Sequence, residues 1–409
     1  MESICPMTRR FIMRRRFFVE SRFCGLNVSV LVLLAGLMSA CSSTAVGIDD
    51  AGLEPDWRIS SAKKHGFDEA TLDQARAYAF QDELHTQGVV IVHKGEIITE
   101  WYAPEIDADS WATSWSVAKS FASTLIGIAI DEGRIASVDV TLATWYPQWA
   151  TDDRGKITLR QVLTMTTGLK WVETSDPFVE EEPNLVQLVA DGDELGYVLN
   201  SPLETTPGTR FYYSSGNSLL FSGILDAVLD EDVQDFARTR LFEPLGFSKW
   251  AWWQDGAGHT LTYCCIDTTA RDFARFGQMA LQHGVWGGKQ IVSTAWLTAA
   301  TTPSEVQPSY GFQWWLNQPG GEIDYPELPR DMFSARGLDG QYIYVLPSQQ
   351  LVVVRVGEYK KPEGEEVAPN GIISAGLVPG GLGGTGTTPP EESWNDASFL
   401  KPILDAMGE

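Results

Sequence analysis

The sequence predicts an α+β protein, with an antiparallel sheet built from both chain ends and flanked by helices, and a mainly helical lobe inserted between. Three observations predict it. Runs of β-branched and aromatic residues occur near the start of the globular region and return after Tyr310. The stretch between them carries helical periodicity, and 409 residues at 44% hydrophobic content can fill a two-lobed core.

The first forty residues are read apart from the fold. Arg9, Arg10, Arg14, Arg15, Arg16 and Arg22 precede an apolar run over 28–38, followed by Ser39, Ala40 and Cys41. Basic, then apolar, then small is the order of a secretory signal, and a Cys directly after two small residues resembles a bacterial lipobox. The expectation is a signal peptide over 1–40, a tether over 41–56 and lipidation of Cys41. That places the protein on the membrane, facing the periplasm or the cell exterior. Ordinary cleavage or an uncleaved anchor are the alternatives. Arg14 to Phe18 also resembles a twin-arginine signal but lies far from the apolar run, so the export route stays open.

From Trp57 the pattern is globular, with a helix expected over 69–80. Residues 88–93 and 97–102 read as strands joined by the hairpin signal Lys94-Gly95-Glu96. Residues 116–131 have apolar positions at helical spacing and stop at Glu132-Gly133. Further helices are expected over 159–165, 218–230, 233–242, 269–283 and 293–300. Strands are expected over 311–316, 341–346 and 351–356, and a closing helix over 393–407. Residues 361–390, rich in Gly, Pro and Glu, read as a long irregular loop. The domain expected is therefore 57–409, with an α/β lobe from about 57–135 and 286–409 and a helical lobe from about 136–285.

Charge and rare residues narrow the chemistry. With 54 acidic against 30 basic side chains and a net charge of -24, attraction to phosphate backbones is absent, so nucleic acid is excluded as a partner. Removing residues 1–40 takes away six Arg and two Glu, leaving 24 basic and 52 acidic residues. Beyond Cys41 only Cys264 and Cys265 remain, and sequence neighbours rarely form an unstrained disulfide, so no disulfide is expected and the pair reads as packing. Five scattered His show no metal-type spacing and no catalytic placement, and no metal or other cofactor is expected.

A nucleophile is then needed, and the G-x-S-x-G elbow does not occur. A Ser activated by Lys requires S-x-x-K on a helix, where a three-residue step puts both side chains on one face. The pattern occurs at Ser60/Lys63, Ser61/Lys64 and Ser116/Lys119. The first two overlap in a polar stretch suited to a turn or cap. Ser116 instead opens the most apolar helix, which would carry Lys119 into a dry interior, lower its pKa and make it a base. Ser116 as an N-cap with Lys119 snorkelling to water is the alternative.

Ser116-Val117-Ala118-Lys119, Tyr213-Ser214-Ser215-Gly216-Asn217 and Gly337-Leu338-Asp339-Gly340-Gln341, in this order and with these gaps, resemble the serine β-lactamase and penicillin-binding-protein superfamily. Within it the likeness is to the class C-related branch that includes 6-aminohexanoate-dimer hydrolases and secreted esterases. Leu163 to Leu169, Pro207 to Phe211, Ala270 to Gly277 and Tyr310 to Trp315 agree, so the resemblance runs from about 85 to 357. It implies a β-lactamase-like fold and three catalytic residues, Ser116, Lys119 and Tyr213, with Tyr213 as general acid and base and Tyr212 as its rival. It also implies an oxyanion hole from the backbone N–H groups of Ser116 and Leu338, with Ser215, Asn217, Arg336 and Gly337 as substrate-binding candidates. Two departures bear on substrate. Class C enzymes have Asn where this chain has Ser215, with Asn217 two further on, and Lys-Thr-Gly is replaced by Ala335-Arg336-Gly337.

These readings give an exported serine hydrolase cleaving a small-molecule amide or ester through an acyl-enzyme. Within enzymes a DD-peptidase or a β-lactamase are the alternatives, and from another class a catalytically silent binding or sensor protein. One of Trp314 and Trp315 is expected in the core, the other possible in the cleft. Glu173, Asp176 and Glu180 to Glu182 read as a solvated polar loop.

Overall fold

The computed structural model describes residues 57–173, 183–358, 373–374 and 394–408. The expected signal peptide, Cys41 and the tether over 41–56 lie outside the described residues, as do Asp176, Glu180 to Glu182 and all of 361–390 except 373–374. Among the described residues no helix is long and apolar enough to cross a membrane.

In chain order α1 (Glu69–Ala79) leads into the hairpin strands β1 (Gly88–His93) and β2 (Glu96–Tyr102), then the short β3 (Ala112–Thr113) and the buried α2 (Ala118–Asp131). The middle supplies α3 (Leu159–Leu163), α4 (Asn184–Ala190), α5 (Glu194–Leu199), α6 (Ser215–Val228), α7 (Val233–Ala237) and α8 (Glu243–Leu245). Next come β4 (Ala251–Gln254), β5 (Ile266–Thr268), α9 (Ala270–Leu281), the small ribbon β6 (Val285–Trp286) and β7 (Lys289–Gln290), and α10 (Thr294–Ala300). The chain closes with β8 (Trp315–Leu316), β9 (Phe333–Gly337), β10 (Gln341–Leu346), β11 (Leu351–Val356), β12 (Ile373–Ser374) and α11 (Asp396–Asp405).

Six strands form one sheet in the order β2-β1-β11-β10-β9-β8, every neighbouring pair antiparallel. The β1–β2 turn uses Lys94 and Gly95 at φ 53 and 80, the left-handed pair that matches the twist of a two-residue hairpin. β1 is buried along its whole length because both sheet faces are covered. Val89 and Ile91 join Leu72 and Ala75 of α1 and Phe399, Leu400 and Ile403 of α11. Val90 and Val92 join Phe121 and Leu125 of α2 and Phe273 and Phe276 of α9. Gly277 lets α9 lie close on the sheet, since a Cβ there would stand 2.7 Å from Ile343 and Val352 side chains. A second sheet, β12-β4-β5-β3, ties the start of α2 to the segment around residue 265.

Several expectations shift. The strand expected over 311–316 is reduced to Trp315–Leu316, because Gln313 adopts φ 64 and breaks extended backbone. The helix expected over 233–242 is α-helical only to Ala237 and finishes as a π-helical turn over Arg238–Phe242. α4, α5, α8 and the strands β3, β4, β5, β6, β7, β9 and β12 were not expected. Cys264 and Cys265 form a disulfide, against the sequence expectation. Cys265 takes the left-handed φ of 72 that accompanies a bond between sequence neighbours in this turn.

Candidate active site

Ser116 lies in a 3-10 turn, Trp115–Val117, that runs straight into α2. The turn is anchored from behind. Ser114 N–H donates to Ile266 O at 2.8 Å, and Ser114 Oγ accepts from Ile266 N–H at 2.8 Å. Trp115 takes the left-handed φ of 41, a conformation costly for a bulky residue and typical of over-determined functional turns. Ser116 does not cap α2, whose N-cap position is Val117 with no side-chain bond.

One helical turn on, Lys119 is 1% exposed, so it does not snorkel. Its Nζ donates to Ser116 Oγ at 2.8 Å, to Ser215 Oγ at 3.1 Å and to the carbonyl of Tyr263 at 3.0 Å. Burial lowers its pKa to about 8, with the Glu173 carboxylate acting in the opposite direction. The Tyr213 ring lies 4.9 Å from Nζ and is held between Trp315, stacked at 5.5 Å, and Tyr310, edge-on at 6.3 Å. Residues 211–214 form no strand, and Tyr213 sits in irregular backbone just before α6.

The start of α6 sorts the second motif. Ser214 is the N-cap, its Oγ accepting from Asn217 N–H at 3.1 Å, which leaves Ser215 as the first helical residue and turns it toward Lys119. Asn217 is two residues on, about 200° round the helix, and faces the core instead. It is buried, accepts from Thr167 Oγ1 at 2.9 Å and does not line the cleft, which corrects its reading as a substrate-binding residue.

A cleft of about 850 Å³ opens over these groups and is lined by Ser116, Tyr213, Ser215, Arg336, Gly337 and Leu338, among others. Gly337 ends β9 against the Ser116 turn. A Cβ there would stand 2.4 Å from Ser114 O and 3.1 Å from Ser116 N, so only glycine permits the approach that sets Leu338 beside Ser116. Arg336 lines the cleft, but its guanidinium is paired with Asp396, donates to Ser334 Oγ at 2.9 Å and covers the Tyr342 ring. Its charge is therefore already neutralised. Trp314 is in the core and Trp315 lines the cleft, as does Tyr212. None of the five His lines it.

Sequence reasoning missed Glu173. Half-buried in the cleft wall, it is engaged on both oxygens: its Oε1 accepts from Ser215 Oγ at 2.6 Å and its Oε2 from Ser215 N–H at 2.8 Å and from the Trp171 indole at 2.5 Å. It also missed Tyr263, whose carbonyl receives Lys119 and whose hydroxyl donates to the buried Glu194 at 2.8 Å. Nothing in the local sequence marks either one, since both act through partners far along the chain. Cys264 of the disulfide also faces the cleft. Among the described residues, one carboxylate and histidine cluster, Asp193, Asp255 and His259, could approach a metal. Asp255 there already accepts from the amides of Glu194, Ala257 and His259.

The family model described as Beta-lactamase matches residues 73–376. A 6-aminohexanoate-dimer hydrolase from Paenarthrobacter ureafaciens is 26% identical over 303 residues, which cover 69% of this chain and 75% of that one. A penicillin-binding protein homolog from Caulobacter crescentus is similar in structure at a TM-score of 0.57 and 17% identity, over 74% of this chain and 93% of that one. A class C beta lactamase from Rhodobacter sphaeroides follows at 0.54 and 18%, over 72% and 95%. At these identities the structural likenesses speak for the fold.

Proposed function

This chain belongs to the beta-lactamase family, and on that premise we propose that it is a serine hydrolase cleaving a short linear amide or ester through an acyl-enzyme on Ser116. The observation that carries the reading is the buried Lys119 amine, 2.8 Å from Ser116 Oγ and with its pKa lowered to about 8.

Ser116 Oγ attacks the carbonyl carbon as its proton passes to Lys119 Nζ. The oxyanion forms between the backbone N–H groups of Ser116 and Leu338, donors of a kind that contribute about 3 kcal/mol each to the transition state. Collapse expels the amine or alkoxide, which takes a proton from the Tyr213 and Lys119 pair. Water then attacks the acyl carbon, giving a proton to the same pair, and Ser116 recovers its own. Tyr213 suits this part because its ring lies 4.9 Å from Lys119 Nζ, beside the proton that must be passed on. A positioned acid or base of this kind contributes roughly 10²- to 10⁴-fold. The pairing of Arg336 with Asp396 removes the free cation that would hold a substrate carboxylate, which favours linear amides and esters over β-lactams.

The test is fluorophosphonate labelling and p-nitrophenyl butyrate turnover of the wild type beside Ser116→Ala. Both are expected in the wild type and lost in the variant. A folded wild type that neither labels nor turns over would move the protein to the silent binding role.

The reading extends to place. An exported hydrolase anchored through lipidated Cys41 accounts for the basic, apolar and small order of the first forty residues. Metabolic labelling with a radioactive fatty acid is expected to mark the wild type and not Cys41→Ser, and an unlabelled wild type would remove the anchor.

A further inference from the structure

The three neighbours of Lys119 Nζ are not equivalent. The Tyr263 carbonyl can only accept. Ser116 Oγ can accept or donate. Ser215 Oγ could do either, but its one proton goes to Glu173 Oε1 at 2.6 Å. That carboxylate is itself fixed, since its other oxygen accepts from Ser215 N–H and from the Trp171 indole. Ser215 is thereby left with lone pairs alone to offer Nζ at 3.1 Å.

A neutral amine has two hydrogens and one lone pair. The two obligate acceptors, Ser215 Oγ and Tyr263 O, take both hydrogens, so the lone pair is left on the Ser116 side, 2.8 Å from its Oγ. We infer that Glu173 is a positioning residue of the acylation step, which by taking the Ser215 proton aims the Lys119 lone pair at the Ser116 hydroxyl. The inference rests on the serine-hydrolase reading given above.

Glu173→Gln separates two effects. An amide can turn its NH₂ toward Ser215 Oγ and donate to it, which frees the Ser215 proton to compete with Ser116 for the Lys119 lone pair. It also removes the negative charge that favours the Lys119 ammonium. Orientation predicts a lower kcat, and charge predicts an acidic limb moved to lower pH.

The full-length enzyme is assayed with p-nitrophenyl butyrate from pH 5.5 to 9.5 as wild type, Glu173→Gln, Ser215→Ala, Ser215→Thr and the Glu173→Gln/Ser215→Ala double variant. Glu173→Gln is expected to lower kcat by about tenfold or more with KM within about threefold, and to shift the acidic limb toward acid. Ser215→Ala is expected to lower kcat similarly, the double variant to be no worse than Ser215→Ala, and Ser215→Thr, which keeps the hydroxyl, to retain most activity. A wild-type kcat in Glu173→Gln, or losses that multiply in the double variant, overturns the inference. If Glu173→Gln does not fold, Ser215→Ala decides, and a wild-type kcat there overturns it. Failure of the hydrolase reading is distinct, because the wild type itself would then neither label with fluorophosphonate nor turn over.

Discussion

The indole N–H of Trp115 donates to Asp339 Oδ2 at 3.1 Å, joining two residues that both hold left-handed backbone, at φ 41 and 57. One precedes Ser116 and the other follows Leu338, so the bond clamps the two backbone segments that flank the proposed oxyanion site. Asp339→Asn keeps an acceptor and tolerates the same φ, so it is expected to stay within about threefold of wild-type kcat/KM. Asp339→Gly accepts the φ but loses the bond, and is expected to fall by about tenfold or more. Equal activity in the two would mean that backbone freedom, not the bond, matters at 339.

The lowered Lys119 pKa has a direction that kinetics can read. The base must be neutral, so kcat/KM is expected to rise with pH through an apparent pKa near 8 and to fall about tenfold per unit below it. A profile flat from pH 5 to 8 would remove Lys119 from the base role.

Glu194 offers a stability test independent of turnover. It is 4% exposed, and desolvation raises its pKa to about 8, with Asp255 and Asp191 adding to the rise against the Tyr263 hydrogen bond. A carboxyl whose folded pKa lies above its unfolded one contributes stability below about pH 4.5 that is lost as pH rises toward 8. Glu194→Gln stays neutral throughout and still accepts from Tyr263. Denaturant titrations at pH 5 and pH 8 are expected to show the variant gaining roughly 3 kcal/mol on the wild type between the two. A constant difference would contradict the raised pKa.

Gly337→Ala puts a methyl 2.4 Å from a backbone carbonyl that is itself held in the turn before Ser116. The strand end must retreat, and kcat/KM is expected to drop by about tenfold or more while the fold, read by circular dichroism, persists. Wild-type turnover in this variant would show that the β9 approach is not needed.

Much of this was legible in residues. The hairpin at Lys94-Gly95-Glu96, the apolar helix after Ser116 and the strands at 341–346 and 351–356 follow from period and turn chemistry. Ser116 with Lys119 was legible because a three-residue helical step is local geometry. Asn217 misled because the capping turn at Ser214 decides which of the following side chains meets the site. Glu173 was hidden inside an acidic stretch whose composition reads as solvent-facing, and only the fold brings it to Ser215, 42 residues on. The Cys264–Cys265 disulfide depends on the left-handed backbone at Cys265, which the sequence does not announce.

The pairing of Arg336 with Asp396 also has a consequence in time. Trp394 and Asp396 form part of the cleft wall, and Asp396 opens the helix that follows the last strand of the main sheet. A chain synthesised only as far as Val356 already holds Ser116, Lys119 and Tyr213, but its cleft lacks Trp394 and Asp396, and Arg336 lacks its counter-ion. A chain truncated after Val356 is therefore expected to lose p-nitrophenyl butyrate turnover although every reacting group is present, and wild-type turnover in it would show that this wall is not needed.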